Sequence, residues 1–144
     1  MDLRQRLVTT LYTQLTTNVA LLATCGGAVR MVYGMPPPDT EFPYLTHRLV
    51  LETGASWAFA GGDWYLDLWD HSPNEDRLLE MRQGVINAID QLLVSSPDGE
   101  VVMMQIHLVR DEDGVTDAPD VFRLMMQWKL FLDRQVEVES ILTR

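Results

Sequence analysis

Apolar residues return at two different spacings along this chain, and the change between the spacings marks its structural elements. In residues 2–22 they recur every three or four positions, which is the period of an amphipathic helix. The same period runs through residues 74–94. The segment Ser72-Pro73-Asn74-Glu75 before it is typical of a helix start, with Ser as N-cap, Pro in the first turn and Glu three residues after the cap. We therefore predict two helices, each with an apolar side to bury.

Four other segments alternate apolar and polar residues with a period of two, which is the pattern of half-buried strands. They are residues 44–53, 63–70, 101–109 and 122–132. The connection within the first pair is apolar and flanked by glycines, and the connection within the second pair is acidic, so each pair predicts a hairpin. A short strand within residues 28–33 stays an open alternative.

The order helix, hairpin, helix, hairpin predicts an α+β fold. Two hairpins make a four-stranded, mainly antiparallel sheet, and the two helices are the available cover for its apolar face. We expect a two-layer sandwich and one domain spanning residues 1–144, because the chain has no linker that separates two cores. Residues 134–144 are either a flexible end or a segment that docks on a neighbour.

Composition narrows the function classes. The 144 residues carry 21 acidic and 11 basic side chains, a formal charge of −10 that repels nucleic acid and anionic lipid. The single cysteine, Cys25, excludes an internal disulfide framework. No apolar run approaches the roughly 20 residues of a membrane-spanning helix, so we expect a soluble protein without a membrane partner.

Acidic residues are concentrated between the last two predicted strands. The predicted loop of residues 111–120 contains five of them: Asp111, Glu112, Asp113, Asp117 and Asp120. The order of these residues does not match an EF-hand calcium loop. Three alternatives stay open: a solvated loop, a weak Mg²⁺ or Ca²⁺ site, and a loop that lines a pore. We expect no resident cofactor or metal.

An aromatic arm is the second unusual feature. Trp57 and Phe59 lie between glycines in the first hairpin connection, where they would form an exposed apolar patch on a monomer. Such patches mark interfaces, although packing back onto the chain's own sheet is equally open. Arg48, on the polar side of the neighbouring strand, joins them as a candidate contact residue because arginine suits polar subunit contacts.

The histidines give a weaker signal for chemistry. His71 follows Asp67 and Asp70, so a general base oriented by a carboxylate can be imagined there. The alternative is a strand-end histidine hydrogen-bonded to the following helix cap. His47 and His107 lie inside predicted strands, where we expect them on the surface of the sheet.

The assembled pattern resembles the tail-terminator, or tail-completion, proteins of long-tailed bacteriophages. Phe42-Pro43-Tyr44 opens the first long strand, and Leu66-x-x-Trp69-Asp70 ends the second. A polar cap then leads directly into the helix of residues 74–94, and a hairpin closes the layout. The resemblance covers residues 3–132.

This resemblance implies a structural, non-enzymatic virion protein. Such a protein caps the tail tube as a hexameric ring, stops tube elongation and provides the surface to which the head docks. The implied partners are other copies of the chain, the tail tube protein and a head-completion or neck protein, while DNA passes without specific binding. The implied location is the virion tail, and the host cytoplasm during assembly.

The resemblance also suggests roles for the two unusual features. Trp57 and Phe59 would contact an adjacent subunit or the tube, and the acidic loop would face the lumen or an axial partner. Three alternatives remain: another head-tail connector or neck component, a small hydrolase using His71, and a monomeric or dimeric binding domain.

Overall fold

A computed structural model describes residues 3–52, 59–90, 93–94 and 103–133. Its elements, in chain order, are α1 (Leu3–Thr16), α2 (Val19–Thr24), β1 (Arg30–Tyr33), β2 (Tyr44–Glu52), β3 (Phe59–His71), α3 (Asp76–Ile89), β4 (Leu93–Val94), β5 (Met103–Asp113) and β6 (Val121–Asp133). The α+β class is confirmed, and so is the helix, hairpin, helix, hairpin order of the long elements. The short strand before the first hairpin is β1.

The sheet has six strands in the order β1-β2-β3-β6-β5-β4, so the prediction of four strands is wrong. The four predicted strands form its centre, and the short strands β1 and β4 extend it at the two edges. β1 pairs in parallel with β2, and the other neighbours are antiparallel. The two hairpins meet where β3 pairs with β6 along its whole length, from Phe59 opposite Asp133 to His71 opposite Val121.

One face of the sheet packs against the three described helices, and we call it the covered face. Leu11 of α1, Leu21 of α2 and Met81 of α3 are fully buried in one core together with alternate strand residues. The strand residues of the covered face include Leu45, His47, Leu49, Trp64, Leu66, Leu68, Asp70, Ile106, Leu124, Met126, Trp128 and Leu130. The period of two in the sequence therefore marks the side of each strand that faces the helices.

The predicted N-terminal helix is two helices, because the chain leaves helical geometry after Thr16. The hydroxyls of Thr16 and Thr17 donate to the carbonyl oxygens of Tyr12 and Thr13, at 2.7 and 2.6 Å. The Asn18 side chain then accepts from the amide N–H of Leu21 at 3.0 Å and caps α2. Side chains that bond to the nearby backbone favour helix ends over helix interiors, and three of them stand here in succession.

The third helix is shorter than predicted at both ends. Ser72 is not its N-cap: the Ser72 hydroxyl accepts from the Asn74 amide at 3.3 Å, and the helix begins at Asp76. A turn precedes the helix because the Asn74 side chain accepts from the Asp76 amide at 3.1 Å. The helix ends at Ile89, and β4, within the predicted helical range, pairs with β5.

β3 and β5 extend several residues beyond their predicted bounds. β3 begins at Phe59, so Gly61 and Gly62 lie inside a strand rather than in the connection. A Cβ on Gly62 would lie 2.5 Å from the Val50 carbonyl oxygen, a contact that only glycine avoids. β5 continues to Asp113 past an irregularity in its pairing between Leu108 and Arg110. No helix among the described residues is both long and apolar enough to span a membrane.

Candidate functional site

The predicted aromatic arm falls largely outside the described residues. Trp57 lies outside them, and only the backbone of Phe59 is described, as the first residue of β3. Arg48 lies on β2 and is exposed. Its guanidinium carbon lies 4.9 Å from the centre of the Tyr65 ring, a cation–π contact with the neighbouring strand. Whether these residues form an interface stays a prediction.

The five predicted loop acids divide into separate environments. Asp111, Glu112 and Asp113 belong to β5, so the prediction that they lie in a loop is wrong. Asp111 pairs with Arg82 of α3, and Asp120 contacts His71 with 2.6 Å between carboxylate oxygen and ring nitrogen. Across the described residues, no group of three or more His, Cys, Asp or Glu side chains is arranged to hold a metal ion. The weak Mg²⁺ or Ca²⁺ alternative stays a prediction.

The structure does not place Asp67 or Asp70 against His71, as the hypothesis of a general base at His71 requires. His71 contacts Asp120, and more than half of each side chain is exposed. The Asp70 carboxylate is fully buried and accepts from Arg77 Nε at 3.0 and 3.1 Å. Asp67 accepts from Arg123 Nε at 3.1 Å. An arginine thus holds each of the two aspartates, and His71 pairs with a residue from the far end of the last hairpin.

Cys25 and His47 are both buried. Burial raises the pKa of the Cys25 thiol to about 11, so the thiol is protonated at neutral pH. The expectation that His47 lies on the sheet surface is wrong: it lies on the covered face, and burial lowers its pKa to about 4. Its Nδ1 accepts from Trp64 Nε1 at 3.2 Å, which holds the imidazole in the neutral form.

The other side of the sheet, which we call the open face, carries polar and aromatic side chains in cross-strand rows. It includes Thr46, Arg48, Val50, Asp63, Tyr65, Asp67, Trp69, His107, Arg110, Glu112, Arg123, Met125, Gln127, Lys129 and Phe131. The pairing of β2, β3, β6 and β5 aligns these residues across four strands, so each row brings together residues far apart in sequence.

One row runs across the middle of the open face from Arg48 through Tyr65 and Gln127 to Arg110. Arg110 Nε donates to the Gln127 side-chain oxygen at 2.9 Å. The Gln127 amide donates in turn to Asp63 Oδ1 at 3.3 Å, in the next row. An exposed arginine thus stands at each end of this row, which we call the arginine row. Neutral side chains between the two arginines hold them along the sheet.

A second cluster lies near the start of β2. The Tyr44 ring stacks on Trp69 with 5.8 Å between centres, and the guanidinium of Arg123 lies 4.6 Å from the centre of the Trp69 ring. Trp69 Nε1 donates to Thr46 Oγ1 at 3.0 Å. Trp69, Thr46 and Arg123 line an open groove of about 490 Å³ together with Met35. These interactions order the sheet surface without assembling a nucleophile, base and oxyanion donor.

Sequence reasoning missed most of the open face. Arg123 and Trp69 occupy polar positions of alternating strands, which the sequence shows, whereas Arg110 follows the predicted strand in the phase of its apolar residues and reaches this face only through the irregularity in β5. Their mutual placement depends on the pairing of β3 with β6 and on the irregularity in β5, neither of which a single sequence specifies. Periodicity therefore identifies the residues of this face, and the register decides which of them meet.

The chain shares its fold with a chain of a solved virion. That structure is the virion of a native gene transfer agent particle: the TM-score is 0.68 at 15% identity, over 85% of this chain and 91% of that one. Another solved chain matches with a TM-score of 0.59 at 11% identity, over 92% of this chain and 97% of that one. No protein-family model and no curated protein matches the sequence.

Proposed function

We propose that this chain is a structural virion protein that closes the end of a phage tail tube as a ring, stops tube elongation and provides the surface to which the head docks. The observation that carries the proposal is the match to a chain of a gene transfer agent virion, a phage-like particle. That match spans 85% of this chain and 91% of the other, so both have nearly the same extent as well as the same fold.

The chemistry of the described residues supports a role in assembly over a role in catalysis. Asp67 and Asp70 each pair with an arginine, Asp120 contacts His71, and Cys25 is buried. The open face carries exposed arginines and half-buried aromatic side chains, which are enriched where proteins bind each other. These features suit a protein that acts through its surface.

The net charge fits a channel for DNA. Each copy carries −10, so a ring of this chain repels the phosphate backbone and lets DNA pass without specific binding. The proposed partners are other copies of the chain, the tail tube protein and a head-completion or neck protein. The proposed location is the virion tail, after assembly in the host cytoplasm.

The decisive experiment offers the purified protein two targets from the same phage, polymerised tail tubes and isolated portals. We expect rings at tube ends by negative-stain electron microscopy and no complex with portals. Adding the protein to polymerising tube subunits should shorten the tubes in proportion to its concentration, because each ring blocks one growing end.

Two outcomes would overturn the tail-capping role. Binding to portals but not to tubes would assign the chain to a connector or neck. A protein that binds neither target, leaves tube length unchanged and stays monomeric would contradict the ring altogether. Light scattering at several concentrations reports that last state directly.

A further inference from the structure

We propose that the open face of one copy receives the acidic turn of the next copy. We define the acidic turn as residues 113–120, the connection between β5 and β6 together with the last residue of β5. The contact joins two different surfaces and is therefore head-to-tail, the kind that closes into a ring when the rotation permits. The inference rests on the proposed ring and names the surfaces that build it.

The two arginines of the arginine row form no ion pair within the described part of the chain. Arg48 contacts the Tyr65 ring and Arg110 contacts Gln127, both neutral groups. Neither arginine has a carboxylate within ion-pair distance among the residues that the structure describes, although the chain has 21 acidic side chains. By contrast, Arg77, Arg82 and Arg123 each pair with an aspartate. Two exposed cations on a chain of −10 thus stay available for a carboxylate from outside the molecule.

The setting of the arginine row is typical of a protein contact. Three strand spacings separate its two ends, roughly 14 Å at ~4.8 Å per spacing. Val50 and Phe131, exposed by 42% and 47%, lie one and two rows away along the open face. Arginine and tyrosine with apolar neighbours make the composition of an interface centre.

The acidic turn offers the complementary charge. Asp113 and Asp117 are exposed, and neither carboxylate forms an ion pair or hydrogen bond within the described part of the chain. The turn closes the β5–β6 hairpin, and Asp113 lies opposite Leu124 of the covered face, so the Asp113 side chain is on the other side of the sheet from the arginine row of its own copy. Because like charges gathered in one turn repel each other, a cationic surface on the next copy stabilises them.

Charge exchange between two variants tests this contact. The face variant carries Arg48→Glu and Arg110→Glu, and the turn variant carries Asp113→Arg and Asp117→Arg. Alone, each should need a concentration about tenfold or more above wild type for half-assembly, because like charges then meet across the contact. An equimolar mixture should assemble near the wild-type concentration, since every face meets a turn of opposite charge. Sedimentation velocity measures the assembled fraction, or tube-end occupancy does if rings form only on tubes.

Three controls separate loss of this contact from other effects of the substitutions. Asp39→Arg with Glu80→Arg makes the same charge change as the turn variant at two other exposed acids, and should leave assembly close to wild type. Arg48→Lys with Arg110→Lys keeps the charge and should assemble far better than the face variant. Thermal unfolding of every variant separates loss of the contact from loss of the fold.

The outcomes keep this inference separate from the proposed function. If wild type forms rings and both variants assemble equally well, or the mixture restores nothing, the contact is wrong while the ring stands. If wild type forms no ring in solution or on tubes, the proposed function fails first. A face variant that keeps its ring but loses binding to a fluorescent single-stranded oligonucleotide would assign the open face to nucleic acid and overturn the contact.

Discussion

The covered and open faces belong to the same strands, yet their residues differ in almost every property. On β3, Trp64, Leu66 and Leu68 face the helices and are fully buried, while Tyr65 and Asp67 between them are half-buried and face away. The covered face is apolar apart from a few polar side chains such as His47 and Asp70. The open face carries arginines, carboxylates and aromatic rings. Alternation along a strand thus separates the residues that stabilise this fold from the residues that are available to bind a partner.

Charge follows the same division. On the covered face a carboxylate needs a dedicated partner, as Asp70 has in Arg77, because an unpaired buried charge is strongly unfavourable. On the open face, water hydrates the charged groups. Arg48 and Arg110 are therefore tolerated without a carboxylate partner among the described residues. Residues of the covered face should therefore control folding, and residues of the open face should control association.

The largest expected effect comes from truncating the covered face. Trp128→Ala removes a fully buried ring opposite Trp64 and should lower the free energy of unfolding by about 3–5 kcal/mol. Phe131→Ala, on the same strand but on the open face, should cost about 1 kcal/mol or less. Urea denaturation measures both. Similar losses at the two positions would mean that the open face also belongs to the folding core.

Acidification should weaken the covered face through His47. The unfolded imidazole binds a proton below about pH 6.5, whereas burial holds the folded pKa at about 4, so the unfolded state gains stability as the pH falls between these values. The free energy of unfolding should drop by about 1.5 kcal/mol from pH 6.5 to 5, and by about 3 kcal/mol once the pH is below 4.

The variant His47→Gln tests this assignment. It keeps a side-chain acceptor for the Trp64 N–H but does not titrate, so it should flatten the stability profile between pH 6.5 and 5. His107→Gln on the open face controls for loss of an imidazole as such. If the free energy of unfolding of His47→Gln still falls with pH as steeply as that of wild type, another group causes the pH dependence.

The buried ion pair should have the next largest effect. Arg77→Met leaves the Asp70 carboxylate buried without its charged partner and should cost roughly 2–3 kcal/mol, reduced because the arginine side chain is partly exposed. Arg123→Met breaks the Asp67 pair on the open face, where water reaches the carboxylate, and should cost about 1 kcal/mol or less. Chemical denaturation at neutral pH compares the two. Equal costs would contradict the different solvation of the two faces.

Periodicity predicted the fold class and the order of its long elements, because burial on one side of a strand or helix leaves a regular trace in the sequence. It failed where local hydrogen bonds override that trace. Residues 2–22 keep the apolar period of one helix, but Thr16, Thr17 and Asn18 bond to the backbone and end it. The edge strand β4 was missed because two residues carry no readable alternation.

The open face was harder to predict than the core for a physical reason. A buried position needs only an apolar residue of suitable size, and the period of apolar residues along the sequence shows where such positions lie. A cross-strand row needs the register, which depends on contacts between β3 and β6 fifty or more residues apart. Arg48 was recognised as a contact candidate from its own strand, whereas Arg110 and the row that joins them became visible only with the pairing.

The smallest expected effect on stability concerns the arginine row, and it separates the two faces most sharply. Arg48→Ala with Arg110→Ala removes a cation–π contact and a hydrogen bond at exposed positions, so the free energy of unfolding should change by about 1 kcal/mol or less. Thermal unfolding and sedimentation velocity on the same samples give both quantities, and assembly should weaken by about tenfold or more. A variant that loses stability as severely as Trp128→Ala would show that the row supports the fold. A variant that loses neither stability nor assembly would contradict the proposed contact between copies.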